Sequence, residues 1–228
     1  MLQTYNFSRR QFHKILLFVP NQFAFPKKTV HLYQIIRIKT DLIMIKIITI
    51  SGFCLFSILV FVLFVLLKIN GKGSFGRPSL PVYIFIIGKL SLFACFGMYI
   101  YALLNDNIVH PSYVKELEYI SFVVYLLGMI ITISGLINLG QSLRMGLPDE
   151  ETELKTKGIY RLTRNPIYVG FDLICLASVI FYPSIINIIV FITVIVYHHY
   201  VIKAEESFLE KKFDTAWKDY IKKTRRYL

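Results

Sequence analysis

The chain carries one tryptophan, three cysteines and 14 acidic residues against 26 basic ones in a length of 228. Each scarcity excludes something. Cys54, Cys95 and Cys175 stand singly inside apolar runs, with no CxxC and no matched histidine, so they read as buried structural thiols and no zinc or iron site is indicated. A glycine-rich turn between a strand and a helix is missing as well. Gly71-Lys72-Gly73-Ser74-Phe75-Gly76 is a loop between apolar segments, which removes the Rossmann-like nucleotide sheet from consideration. A secretory signal peptide is not expected in residues 1–43, since the apolar stretch from Ile15 to Val19 is too short before Pro20. The shortage of acid leaves a net charge of +12. The basic residues flank apolar segments and are explained by membrane topology, so nucleic-acid binding is not expected.

What is abundant is apolar length. More than half of the residues are hydrophobic, too many for one soluble core, and the class is a polytopic all-α membrane protein. Runs near the ~20 residues that cross a hydrocarbon core as helix extend from about Met44 to Leu67, Leu80 to Leu104 and Leu117 to Leu139. Two shorter ones, Pro166 to Tyr182 and Ser184 to Ile202, are separated by Pro183 and its neighbours and predict a tight antiparallel hairpin. The expectation is five transmembrane helices.

Lysine and arginine in short loops are retained on the cytoplasmic side. The segments 68–79, 140–165 and 203–228 fall on one face and hold 3, 5 and 8 basic residues, whereas the opposite loops hold Lys115 alone. The 140–165 loop and the C-terminus are therefore expected in the cytoplasm. Residues 1–43 add seven basic residues on the translocated side and follow no pattern of their own. The organisation expected is thus a basic extension over 1–43, with the functional protein starting near Met44, three spans over 44–139, and a functional region over 140–228.

That last region concentrates the polar chemistry. Arg144 lies at headgroup level just past the third span, and the acidic run from Asp149 to Glu151 reads as solvated surface. Asn165-Pro166 predicts a helix start, with Asn as cap and Pro in the first turn. The amides of Ile167 and Tyr168 would then point toward the cytoplasmic face with the positive end of the helix dipole behind them, a place suited to a carboxylate or phosphate. Asn165, Tyr168 and Asp172 share one helical face, as do His198, Ile202, Glu205 and Leu209 on the next segment. Asp172 falls inside the apolar region, where an unpaired carboxylate is expensive, so it must face protein or a wet cavity. Beyond Glu206, Leu209, Phe213, Trp217 and Tyr220 recur at helical spacing among lysines, as in a helix lying against anionic lipid.

Gly158-x-Tyr160-x-x-x-Arg164-Asn165-Pro166-x-Tyr168-x-Gly170, then Glu205-Glu206-x-x-Leu209 about 35 residues later, then Phe213-x-x-x-Trp217-x-x-Tyr220, resembles the isoprenylcysteine carboxyl methyltransferase family, which is similar to the bacterial phospholipid methyltransferases. The resemblance runs from about Leu136 to Leu228. It implies an integral-membrane enzyme that uses S-adenosylmethionine, held between the loop, the hairpin and the C-terminal helix. Carried over residue by residue, it places the cofactor against Tyr160, Asn165, Pro166, Ile167, Tyr168 and the backbone of Thr152, Glu153, Leu154 and Lys155. Glu205 would hold the cofactor's polar end and Glu206 would brace the site. Arg144 and Arg164 are the candidate contacts for a substrate.

Two departures bear on the acceptor. Eukaryotic members have His where this chain has Asn165; the Asn-Pro form is similar to the bacterial branch and implies a bacterial inner membrane. They also carry, one turn before the cofactor Glu, an Arg associated with the prenylcysteine carboxylate, and here that position is Val201. Isoprenoid acids, prenylated thiols and lipid amines remain as acceptors, entering from the bilayer without a metal. Methyl transfer is an in-line displacement that chiefly needs alignment. A carboxylate would need no base, while a protonated amine would, and Asp172 or His198 are the candidates. A membrane reductase of the sterol type with NADPH is the rival enzyme, weakened by Glu205-Glu206 and by the lack of an Arg-His-Asp and Cys-rich ending; a non-enzymatic membrane scaffold is the other alternative.

Overall fold

The computed structural model describes residues 27–69, 78–105, 114–140 and 153–228. The expectations for Arg144, Thr152, the acidic residues 149–151 and the 71–76 loop fall outside them. The chain divides into two units, Met1–Ile43 and Met44–Leu228, and the polar cluster of interest lies in the second.

Five α-helices are described: α1 (Lys27–Ile69), α2 (Val82–Leu104), α3 (Val114–Leu139), α4 (Pro166–Phe181) and α5 (Ile185–Lys223), with a 3₁₀ turn, Gly158–Arg161, ahead of α4. Among the described residues the one β feature is an isolated parallel bridge between Thr163 and Arg225. Stretches long and apolar enough to cross a membrane occupy Thr40–Leu63, Val82–Leu104, Glu116–Leu139 and Ile185–Lys223. The protein is an all-α polytopic membrane protein. The expected fourth span is the exception. α4 has 16 residues, which makes it about 24 Å long against a hydrocarbon core of about 30 Å. α5, by contrast, has 39 residues, about twice a crossing, and its helical dihedrals break at Asp214 (φ 35°, ψ −100°).

In lipid there is little hydrophobic drive between helices, so close backbone approach and internal hydrogen bonds decide the packing. α3 and α4 meet where neither has a side chain: a Cβ on Gly170 would stand 2.7 Å from the Gly128 carbonyl oxygen and 2.8 Å from the Thr132 nitrogen. The apolar core gathers beside this contact, with Tyr99, Tyr125, Ile174 and Phe181 almost fully buried and Phe53 of α1 set against Phe96, Tyr99 and Tyr125. The α4–α5 turn is held by polar groups. Ser184 caps α5 by accepting from the Asn187 amide at 3.2 Å, and buried Asn187 donates to the Ser178 hydroxyl and the Tyr182 carbonyl, both at 3.0 Å. Cys95 and Cys175 are buried in the α2–α4 interface, in keeping with structural thiols, while Cys54 is exposed.

Candidate active site

Gly158 starts the site. Its φ of +62° favours glycine, and a Cβ there would run into the Asn138 amide at the end of α3, so glycine lets the 3₁₀ turn seat against α3. The turn buries Tyr160, whose carbonyl accepts from the Tyr220 hydroxyl at 2.6 Å. Burial pushes the Tyr160 phenol well above its usual range, so it stays protonated.

Asn165-Pro166 does start α4, but the Asn165 side chain makes no cap bond. It is drawn elsewhere. Its Nδ2 donates to Glu206 Oε1 at 3.1 Å and to the Arg226 carbonyl at 3.2 Å. Glu206 is the hub of this cluster. Its Oε1 also accepts from Arg164 Nε at 3.0 Å, and its Oε2 accepts from Arg226 Nε at 2.9 Å and pairs with Nη2 at 2.8 Å. Main-chain bonds join the same segments: Arg164 N–H donates to the Arg225 carbonyl at 2.9 Å, and the Thr163 hydroxyl to the Arg226 carbonyl at 3.0 Å. The hydrogen bond it donates to Glu206 holds the Arg226 guanidinium above its ordinary pKa. Arg164, a candidate substrate contact, also donates Nη1 to the Thr224 carbonyl at 2.6 Å and lies over the Trp217 ring. Trp217 and Tyr220, which the helical spacing offers to lipid, are buried instead, because the break at Asp214 redirects the last turns of α5 against Tyr160 and Arg164.

The second cluster opens across the hairpin. The Tyr168 hydroxyl donates to Glu205 Oε1 at 2.7 Å, so the faces containing Asn165, Tyr168 and Asp172 on α4 and His198 and Glu205 on α5 do meet. One turn further along α4, Asp172 Oδ1 is 2.5 Å from Nδ1 of His198, a ring that is itself 2% exposed and packs edge-on to Tyr168. Asp172, Ile195, Val196, His199, Tyr200 and Tyr227 line a cavity of about 450 Å³. His199 Nδ1 and the Tyr227 hydroxyl, on two of its lining residues, are 2.9 Å apart. Val201 is buried, and Pro166 and Ile167 pack against Gly135 of α3. Glu153 and Lys155 form an exposed ion pair at 2.6 Å.

Sequence reasoning did not single out Arg226, Thr163 or Asn187. Asn187 is one polar residue in an apolar run, and Arg226 is one charge in a basic tail that topology already explains. No group of three or more His, Cys, Asp or Glu side chains able to hold a metal occurs among the described residues.

Residues 117–216 match the family model described as phospholipid methyltransferase. The match covers less than half of the chain, from α3 through the hairpin, and includes Tyr160, Asn165, Tyr168, Asp172, His198 and Glu205. It indicates a membrane-embedded, methyltransferase-like region of a broad family. Neither a curated protein nor a solved structure matches the chain significantly.

Proposed function

We propose that the protein is an integral-membrane methyltransferase that uses S-adenosylmethionine to methylate the amine of a membrane lipid, at the cytoplasmic end of its helical hairpin. The observation that carries this reading is the Tyr168–Glu205 contact across the hairpin mouth, inside the segment similar to phospholipid methyltransferases. The donor set suits the cofactor: a half-buried carboxylate for an α-ammonium, with the rings of Tyr160, Tyr168 and Tyr197 nearby for a sulfonium and a nucleobase. Pro166 and Ile167 set the start of α4, and the backbone of Thr152, Glu153, Leu154 and Lys155 is assigned to the cofactor by the family resemblance alone. Asn165 and Arg164 serve by tying that loop to Glu206 and the C-terminal tail.

When bound, the cofactor supplies an electrophilic methyl on a positively charged sulfur. The protein's own residues must then position a deprotonated amine. Ionised Asp172 can only accept, so Nδ1 of His198 donates to it and Nε2 keeps the lone pair that takes the ammonium proton. The cavity beside Asp172 offers a carboxylate and the rings of Tyr200 and Tyr227 to the cationic headgroup, while Val196 and Ile195 face its acyl part. Val201 offers no cation for a carboxylate acceptor, which fits an amine better.

The test uses the full chain in nanodiscs. Labelled S-adenosylmethionine should bind, Glu205→Gln should abolish binding, and His198→Ala should keep binding while lowering methyl transfer by roughly 10²-fold. Transferred methyl should be stable to base. Base-labile methyl would replace the amine with a carboxylate, and binding of NADPH without S-adenosylmethionine would overturn the reading.

A further inference from the structure

Lys89 lies in the membrane-crossing stretch Val82–Leu104, where a charged side chain is costly unless it meets a partner. Nothing in the α3-to-α5 chemistry calls for it, and the family match begins at residue 117, beyond it. Contacts fix which way it points. Cys95 Sγ approaches Asn187 Oδ1 at 3.8 Å, and further along Gly88 is seated against the Tyr197 ring. Falling numbers on α2 therefore pair with rising numbers on α5, and the helices are antiparallel. Lys89 extends one turn back along α2, its Nζ 5.3 Å from the Phe85 ring centroid. The same direction on α5 runs from Tyr197 through Val201 to Glu205, three residues on one face at four-residue spacing. Lys89 and Glu205 interact electrostatically across this interface, without a direct ion pair.

A cation and an anion held near each other, yet apart, at the end of a water-soluble cofactor's site match a zwitterion with the charges reversed. We propose that Lys89 is a cofactor-binding residue whose Nζ receives the α-carboxylate of the methionyl end while Glu205 receives its α-ammonium. This rests on reading the Tyr168–Glu205 mouth as the S-adenosylmethionine site. It gives α2, otherwise a packing helix, a share in binding. It also accounts for a lysine in an apolar span: the charge is held at the mouth by Glu205 and by the aromatic face of Phe85.

The experiment measures equilibrium binding of three probes to the full chain in nanodiscs: S-adenosylhomocysteine, its decarboxylated analogue and its deaminated analogue. Wild type should prefer the intact probe over each analogue by roughly 10- to 100-fold, as for loss of a charged hydrogen bond. In Lys89→Gln the preference over the decarboxylated analogue should fall to about one, while the preference over the deaminated analogue persists; Lys89→Arg should restore most of the first. Wild-type-like affinity of Lys89→Gln for the decarboxylated analogue shows that the variant is folded. If Lys89→Gln keeps the carboxylate preference, or weakens all three probes equally, Lys89 does not read the carboxylate and the proposal fails. If wild type binds none of the probes, the cofactor reading itself fails with it.

Discussion

Glu206→Ala is the sharpest perturbation the structure offers, because one carboxylate holds three donors. The side chains of Glu206 and Arg164 are 9% and 11% exposed, and that of Arg226 is 36% exposed. Breaking a buried pair by removing one partner costs about 3–5 kcal/mol. The exposure of Arg226 discounts its share, since water screens that side of the cluster. A loss of about 3 kcal/mol is the expected balance. It should act where the cluster acts, on docking of residues 224–226 to 163–165. Trypsin cleaves after Arg225 and Arg226, so intact-mass analysis of the release of Tyr227 and Leu228 reads the opening directly. With opening fast relative to cleavage, release should accelerate on the order of 100-fold in Glu206→Ala. Cleavage after the exposed Lys211 and Lys212 should stay unchanged and serves as the internal reference. Unaltered release of the C-terminal residues would refute the account of Glu206 as the clamp of the tail.

Tyr168→Phe removes the 2.7 Å bond to Glu205 and should weaken S-adenosylhomocysteine binding about 10-fold, read by equilibrium binding to the full chain in nanodiscs. Gly170→Val puts branched carbon against the α3 backbone at Gly128 and Thr132; overpacking of this kind costs about 1–3 kcal/mol, read as a lowered midpoint in thermal unfolding of the detergent complex. Asn187→Ala removes two buried hydrogen bonds at the hairpin turn, to the Ser178 hydroxyl and the Tyr182 carbonyl, while those groups keep the Cys95 carbonyl and the Ser184 N–H as partners. At about 0.5–1.5 kcal/mol per bond it should cost about 1–3 kcal/mol in the thermal unfolding assay.

Much of the site could be read before any coordinates. Asn165-Pro166 marks a helix start through the chemistry of one cap and one ring, and the spacing of Tyr168 and Asp172 against His198 and Glu205 follows from 3.6 residues per turn and a short connection. The part that could not be read depends on distance in three dimensions. The Asn165 side chain could cap its own helix by accepting a backbone N–H at Oδ1, yet it is turned by its Nδ2, which donates to the Glu206 carboxylate 41 residues away, and a hydrogen bond to an ionised acceptor is stronger than one between neutral groups. Trp217 and Tyr220 have the spacing of interfacial anchors, and only the turn at Asp214 sends them inward. Lys89 is one cation in an apolar span, and periodicity alone does not say that α2 lies against α5.

By itself, then, the chain's composition and hydropathy determine an all-α membrane protein, because a backbone in hydrocarbon must satisfy its own hydrogen bonds and apolar length sets where it can cross. Local pattern determines where α4 begins and which faces of α4 and α5 carry polar groups. Tertiary structure alone decides the partners: Glu206 with the C-terminal arginine, Asp172 with His198, and Lys89 toward Glu205. Charge–charge and hydrogen-bond choices between distant residues are settled by which helices approach, and that is decided by close backbone contacts such as Gly128 with Gly170 and by the Gly88 seat for Tyr197.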